Sequence, residues 1–102
     1  MEEVKILGLV EGDLQIELSG DIDLGNAEAF YQTVAEAYQK TPANVTFDCK
    51  ELNFIDSTTL GTFVKILKTL KADGKSMKLC NLQSKIKKLF LICSLDTIME
   101  IA

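Results

Sequence analysis

The sequence predicts a small α/β domain in which a mixed sheet of four or five strands is packed with amphipathic helices, in the order β-β-α-β-α-β-α. Segments that alternate every two residues, as strands do, are interleaved with segments of helical period. Two connections are strand–helix–strand units, which favour parallel neighbours. The 102 residues, 47% of them hydrophobic and 25% charged, suit one domain over residues 1–102 with its own core.

The first part of the chain predicts a β-hairpin followed by a helix. Alternation predicts strands over Val4–Val10 and Leu14–Gly20. Gly12 and Asp13, between them, suit a tight turn. An apolar stripe at helical spacing then predicts a helix over Ala27–Lys40.

The second part predicts alternating strands and helices. In order, the pattern indicates a strand over 44–49, a helix from Leu60 to Leu70, a strand over 76–82, a helix over Ser84–Cys93, and a loop over 94–102 with a candidate edge strand. Gly74 suits a left-handed cap at the end of the middle helix, and Ser84 suits a cap at the start of the last one.

The composition argues against catalysis. The chain contains no histidine, which removes the commonest general base and the usual partner of a nucleophilic serine. No segment has the glycine and lysine spacing of a phosphate-binding loop. Cys49, Cys80 and Cys93 are widely spaced, which favours buried apolar thiols over a zinc site. We therefore predict that the chain is not an enzyme, has no catalytic residues and binds no metal or cofactor.

Charge is unevenly distributed along the chain. Residues 1–59 hold twelve acidic residues and three lysines, whereas residues 60–102 hold three acidic residues and eight lysines. The lysines lie on the outer faces of predicted helices without interleaved aromatics, which favours solvated helix faces over nucleic-acid binding. The longest apolar run, Leu89–Cys93, is too short to cross a bilayer, and the acidic N-terminus lacks signal-peptide features. We therefore expect no membrane insertion and a cytoplasmic location.

The segment "FIDSTTLG" places three hydroxyl side chains in succession before a helical pattern. Ser57, Thr58 and Thr59 follow Asp56. Serine and threonine are preferred N-caps because their oxygen accepts a hydrogen bond from a free N–H of the first turn. One helix needs one such cap. Two of the hydroxyls are therefore available for another role, including chemical modification.

This segment, with "LSGDID" upstream and "IKKLFLICSLDTIMEI" downstream, resembles the STAS domain of bacterial anti-sigma factor antagonists nearly end to end. The central motif of that family reads Asp-Ser-Ser/Thr-Gly-Leu-Gly. Its first serine accepts phosphate from the anti-sigma factor, which is a serine kinase. The resemblance implies that Ser57 is the phosphate acceptor, in an interaction loop with Asp56, Thr58, Leu60 and Gly61.

Thr59 stands where the family usually has glycine. We expect its branched side chain to stiffen the turn and to add bulk at the contact surface, together with a third hydroxyl that could be modified. In "GDID", the family commonly carries a turn beside the phosphorylation loop. This makes Asp23 a candidate neighbour of Ser57, and Asp21 a second one. The alternative is that both aspartates are turn and capping residues ahead of the first helix.

The resemblance implies a partner-switching function. The unphosphorylated protein would bind an anti-sigma factor serine kinase and so release a sigma factor, and a serine/threonine phosphatase would reset the phosphorylated form. ATP and magnesium would belong to the kinase. One alternative is a STAS docking module of a larger signalling or transport assembly that is not phosphorylated. Another is weak nucleotide or small-ligand binding at the helix start.

Overall fold

Five strands form one mixed sheet in the spatial order β1-β2-β3-β4-β5 in this computed structural model, which describes residues 1–102. β1 and β2 are antiparallel, whereas β2, β3, β4 and β5 are parallel neighbours. The predicted fold class is thus confirmed. In chain order the elements are β1 (Val4–Val10), β2 (Asp13–Ile22), α1 (Ala27–Lys40), β3 (Val45–Ile55), α2 (Ser57–Ala72), β4 (Met77–Cys80), α3 (Ser84–Ile92), a 3₁₀ turn (Leu95–Thr97) and β5 (Glu100–Ile101).

The hairpin turn between β1 and β2 lies one residue earlier than predicted. Its two central residues are Glu11 and Gly12, with φ angles of 53° and 88°. Asp13 is the first residue of β2 and pairs with Val10. Two positive φ angles define a turn whose twist matches that of the flanking strands, so the two-residue loop joins them without splaying.

One face of the sheet carries the core, and the other face is polar. The inward side chains of β2, such as Leu14 and Ile16, and those of β3, such as Phe47, are fully buried. They belong to one cluster of 24 buried residues that includes side chains from all three helices. Between them, Glu17 and Asp48 point to the half-exposed opposite face. The molecule therefore has two layers, with the helices on one side.

Four phenylalanines join the helices to the sheet at the centre of the core. Phe63 of α2 makes edge-to-face contacts with Phe30 of α1, Phe47 of β3 and Phe90 of α3, with ring centroids 5.2, 5.5 and 5.4 Å apart. This geometry suits the quadrupoles of the rings and stabilises them beyond the area that they bury. Each of the three helices is therefore fixed relative to β3.

β3 is longer than the predicted strand over 44–49. Its inward positions follow the two-residue period up to Cys49, but the next ones, Leu52 and Ile55, are three residues apart. Two irregularities in the pairing of β2 with β3 accommodate the additional residues. β2 likewise continues beyond Gly20. The last paired residues, Ile22 and Ile55, lie side by side directly before the two loops of the candidate site.

The start of α2 and the capping of α2 and α3 differ from the predictions. α2 begins at Ser57, and its N-cap is Asp56 rather than a hydroxyl residue. Ser84 is the first residue of α3 and does not cap it. The predicted role of Gly74 agrees with the structure, since its φ is 71° and two hydrogen bonds to α2 carbonyls form a Schellman motif around it.

None of the helices combines the length and the apolar character needed to span a membrane. The longest is α2, with 16 residues, and lysines interrupt it on its outer side.

Candidate functional site

The candidate site lies where β2 and β3 end at the same edge of the sheet. Parallel strands bring their carboxyl ends together, so the loop after β2 and the start of α2 after β3 are neighbours. The loop after β2 comprises residues 23–26. This arrangement brings the "GDID" and "DSTT" segments close together, although they are more than 30 residues apart in the chain.

Asp56 connects the two loops through both oxygens of its carboxylate. Oδ1 accepts a hydrogen bond of 3.0 Å from the backbone N–H of Thr59, which caps α2. Oδ2 accepts one of 2.9 Å from the backbone N–H of Leu24 in the neighbouring loop. A single side chain therefore begins the helix and also fixes the loop beside it.

The pKa of the Asp56 carboxyl lies below its usual value. Partial desolvation raises the pKa, but hydrogen bonds from the backbone N–H groups of Thr59 and Leu24 and from the Thr59 hydroxyl lower it by more. Because the pKa is lower in the folded state, the ionised carboxylate stabilises the fold at neutral pH. This contribution is lost as the pH falls through the folded-state pKa.

Thr59 is fully buried, so the expectation that it adds bulk at a contact surface is wrong. Its hydroxyl donates to the backbone carbonyl of Ile22, the last residue of β2, and lies 3.1 Å from Oδ1 of Asp56. The third residue of α2 faces the sheet, which explains why this side chain points inward. A glycine at this position could not make the hydrogen bond to Ile22.

The remaining residues of the motif differ in exposure. Ser57, Thr58 and Gly61 are exposed on the outer side of the first turns of α2, and Leu60 is half-buried against the core. A Cβ added at Gly61 would meet no atom within 4 Å, so the surface is open at this position. The exposed hydroxyls of the motif are thus those of Ser57 and Thr58.

The two upstream aspartates lie in different elements, since Asp21 is the penultimate residue of β2 and Asp23 begins the loop after it. The Asp23 carboxylate accepts from the backbone N–H of Gly25 at 2.9 Å, and its carbonyl accepts from two N–H groups at the start of α1. Asn26 accepts from the N–H of Asp23 and donates to the carbonyl of Asp21. The Asp23 carboxylate therefore has the contact of a turn residue, as in the alternative considered for it, whereas the N-cap of α1 is Asn26 and neither aspartate side chain caps this helix. Neither carboxylate forms a hydrogen bond with Ser57.

Leu24 belongs to the site but was not singled out from the sequence. It is 75% exposed, more than any other large apolar residue of the chain, and its N–H is bound by Asp56. The sequence contains a local indication of this residue, because Leu24 is the apolar residue of the polar segment "DLGN". Leu24 and Ser57 therefore present an apolar group and a hydroxyl on adjacent loops.

Comparison with known proteins identifies the class of this fold and site. The sequence profile of the STAS domain matches residues 5–102, and the chain belongs to the STAS domain family. It is 33% identical over 92 residues to the anti-sigma-B factor antagonist of Bacillus subtilis (strain 168), which covers 90% of this chain and 84% of that protein. It is thus a homologue of the anti-sigma factor antagonists.

Solved structures share the fold. A crystal structure of a candidate anti-sigma factor antagonist from Thermotoga maritima superimposes with a TM-score of 0.84 at 24% identity, and covers 96% of this chain and 82% of that one. The Bacillus cell fate determinant SpoIIAA in its phosphorylated form gives 0.75 at 21% identity, covering 97% and 90%.

The buried hydroxyl of Thr59 can be tested by Thr59→Val, which keeps the shape of the side chain. We expect the free energy of unfolding to fall by about 1–3 kcal/mol, because the Ile22 carbonyl loses the buried hydroxyl that donates to it. Urea unfolding measures this change. The control is Thr69→Val, which removes an exposed hydroxyl from the same helix. Equal effects of the two substitutions would contradict a stabilising hydrogen bond from Thr59 to Ile22.

The charge of Asp56 can be tested by Asp56→Asn, which keeps one acceptor oxygen. We expect the variant to unfold at a lower urea concentration than the wild type at neutral pH. The difference between the two urea midpoints should shrink as the pH is lowered through the range in which carboxyls titrate, because the wild type then loses the charged form of Asp56. Asp21→Asn, in which the lost carboxylate accepts no hydrogen bond, is the control. A difference in urea midpoint that does not change with pH would show that the charge of Asp56 does not stabilise the fold.

Proposed function

We propose that this protein is an anti-sigma factor antagonist that is switched by phosphorylation of Ser57. In its unphosphorylated form it binds an anti-sigma factor serine kinase, which then releases its sigma factor in the cytoplasm. Phosphorylation of Ser57 by that kinase ends the interaction, and a serine/threonine phosphatase restores it. The main observation in support is the exposed hydroxyl of Ser57 next to a capping aspartate in a homologue of anti-sigma-B factor antagonists.

Burial distinguishes the candidate phosphate acceptors. A kinase must reach the hydroxyl oxygen that attacks the transferred phosphoryl group. The oxygen of Thr59 is buried and engaged, whereas Ser57 and Thr58 are exposed. Of these two, Ser57 directly follows Asp56, as in the Asp-Ser of the family motif. Ser57 is therefore our proposed acceptor, and the departure at Thr59 does not compete with it.

The surface around Ser57 suits binding to a protein. Leu24 offers an exposed apolar side chain on one loop, and Thr58 and Gly61 extend the accessible surface along α2. Centres of protein interfaces are poor in charged residues and rich in apolar contacts, with polar groups around them. A neutral serine hydroxyl fits such a centre without the cost of desolvating a charge.

A phosphate on Ser57 would change this surface more than the fold. It would add about −1.5 to −2 charges and three strong acceptors. The carboxylate of Asp56 already accepts the N–H of Thr59, so the phosphate would meet a like charge that offsets its attraction to the start of the helix. The hydrogen bonds from Leu24 to Asp56 and from Thr59 to Ile22 hold the backbone of both loops. We therefore expect the phosphate to act at the interface.

The energetic requirement for such a switch is modest. Each 1.4 kcal/mol of interface free energy changes affinity about tenfold. A dianion placed against a partner surface that fits a neutral serine costs several kcal/mol when it is desolvated and unpaired. The phosphate alone is thus sufficient to change the binding partner. No catalytic group is needed in this chain, since ATP and magnesium belong to the kinase.

The switch can be tested with Ser57→Ala and Ser57→Asp. We expect Ser57→Ala to bind the anti-sigma factor kinase of the same host as tightly as the unphosphorylated wild type, and to resist phosphorylation. Ser57→Asp should bind at least about tenfold more weakly, because it places a charge in the interface. Isothermal titration calorimetry gives both affinities. Thr58→Ala, which removes the adjacent exposed hydroxyl, is the matched control and should remain phosphorylatable.

Equal kinase affinity of the wild type and both Ser57 variants would contradict the switch. If the kinase binds none of them while the chain is captured by a signalling or transport assembly, the docking-module alternative replaces it.

A further inference from the structure

β1 forms an edge of the sheet that is little protected against pairing. The opposite edge, β5, has two residues, and its Glu100 forms an ion pair with Lys78. β1 has seven residues, no proline and a single charged residue, Lys5. Edge strands of monomers are usually short, charged or interrupted by proline, because their unpaired backbone groups bind other strands. β1 has two protective features, the charge of Lys5 and a bulge between Ile6 and Gly8.

Apolar side chains are exposed along this edge. Four apolar side chains of β1 are each between 37% and 58% exposed: Ile6, Leu7, Leu9 and Val10. Ile6 pairs with Ile16 and Leu9 with Leu14, so these two lie on the face of the sheet that carries the core. At Ile6 and Leu9 the apolar face of the sheet thus reaches the edge strand only partly covered, and exposed apolar groups gathered at one place are typical of protein–protein contact sites.

Charges of both signs flank this edge on α1. An open groove between β1 and α1 is lined by Ile6, Gly8, Glu36 and Lys40. Glu36 and Lys40 are four residues apart and therefore lie on the same side of the helix, one turn from each other. Neither forms an ion pair within the chain, in which Lys78 and Glu100 make the single one.

We propose that β1 pairs antiparallel with β1 of a second copy of this chain, forming a dimer with a continuous ten-stranded sheet. A two-fold axis beside Gly8 makes the two α1 helices antiparallel, so that Glu36 of each copy lies opposite Lys40 of the other. The same axis brings Ile6 and Leu9 of both copies together below the helices. The edge is thus self-complementary in hydrogen bonding, apolar surface and charge, as a two-fold interface requires.

This dimer leaves the candidate switch accessible and does not depend on it. β2 separates β1 from β3, and Ser57 follows β3. Leu24 lies in the loop after the far end of β2. Both copies in the dimer can therefore bind a partner at the same time.

Sedimentation equilibrium over a range of protein concentrations tests this interface. We expect a monomer–dimer equilibrium whose dissociation constant rises at least about tenfold in Leu9→Lys, because an apolar contact is replaced by a charge. Glu36→Lys should weaken the dimer through repulsion with Lys40. The double variant Glu36→Lys/Lys40→Glu should restore it, since the swapped pair is complementary again. Leu24→Lys, at a more exposed leucine away from the edge, is the control and should have no effect.

Circular dichroism confirms that each variant is folded. A wild type that stays monomeric at all concentrations overturns the proposal. So does a dimer that is weakened by Leu24→Lys but not by Leu9→Lys, or a double variant that remains as weak as Glu36→Lys.

Discussion

The carboxylate of Asp56 is the contact on which the geometry of the candidate site depends. One oxygen starts α2 by binding the N–H of Thr59, and the other holds the loop after β2 by binding the N–H of Leu24. The Thr59 hydroxyl adds another hydrogen bond, to the carbonyl of Ile22 at the end of β2. These bonds join two loops from distant parts of the chain. The adjacent Ser57 is left exposed on a rigid base, which is favourable for recognition because little ordering is needed on binding.

The rigidity of this base comes from the layers beneath it. β2 and β3 run side by side up to Ile22 and Ile55, and the four packed phenylalanines fix α2 against β3. The loops of the site are short, since four residues separate β2 from α1 and Asp56 alone separates β3 from α2. A charge added at Ser57 therefore acts on a surface whose backbone has little freedom to respond. This suits a switch that changes partners by electrostatics and not by rearrangement of the fold.

The bounds of a helix or strand can be predicted from the sequence when its apolar residues keep one spacing along the whole element. α1 was predicted with both of its ends because its apolar residues repeat at helical spacing throughout. β3 was predicted too short because the inward positions after Cys49 are three residues apart, and only the irregular pairing with β2 explains that spacing. The Thr59 hydroxyl donates to a carbonyl 37 residues away, and the N–H of Leu24 donates to a carboxylate 32 residues away. Contacts of that range leave no mark in a local pattern. The family motif was needed to single out Ser57.

Site-resolved mass spectrometry of the protein, after incubation with the anti-sigma factor kinase of its host and ATP, tests the central claim most directly. The peptide that carries "DSTTLG" contains all three hydroxyls, and fragmentation distinguishes them. The proposed switch predicts a single phosphate, on Ser57, with Thr59 unmodified because its oxygen is buried. A phosphate on Thr58 or Thr59, or a peptide that stays unmodified although the kinase is active, would contradict it.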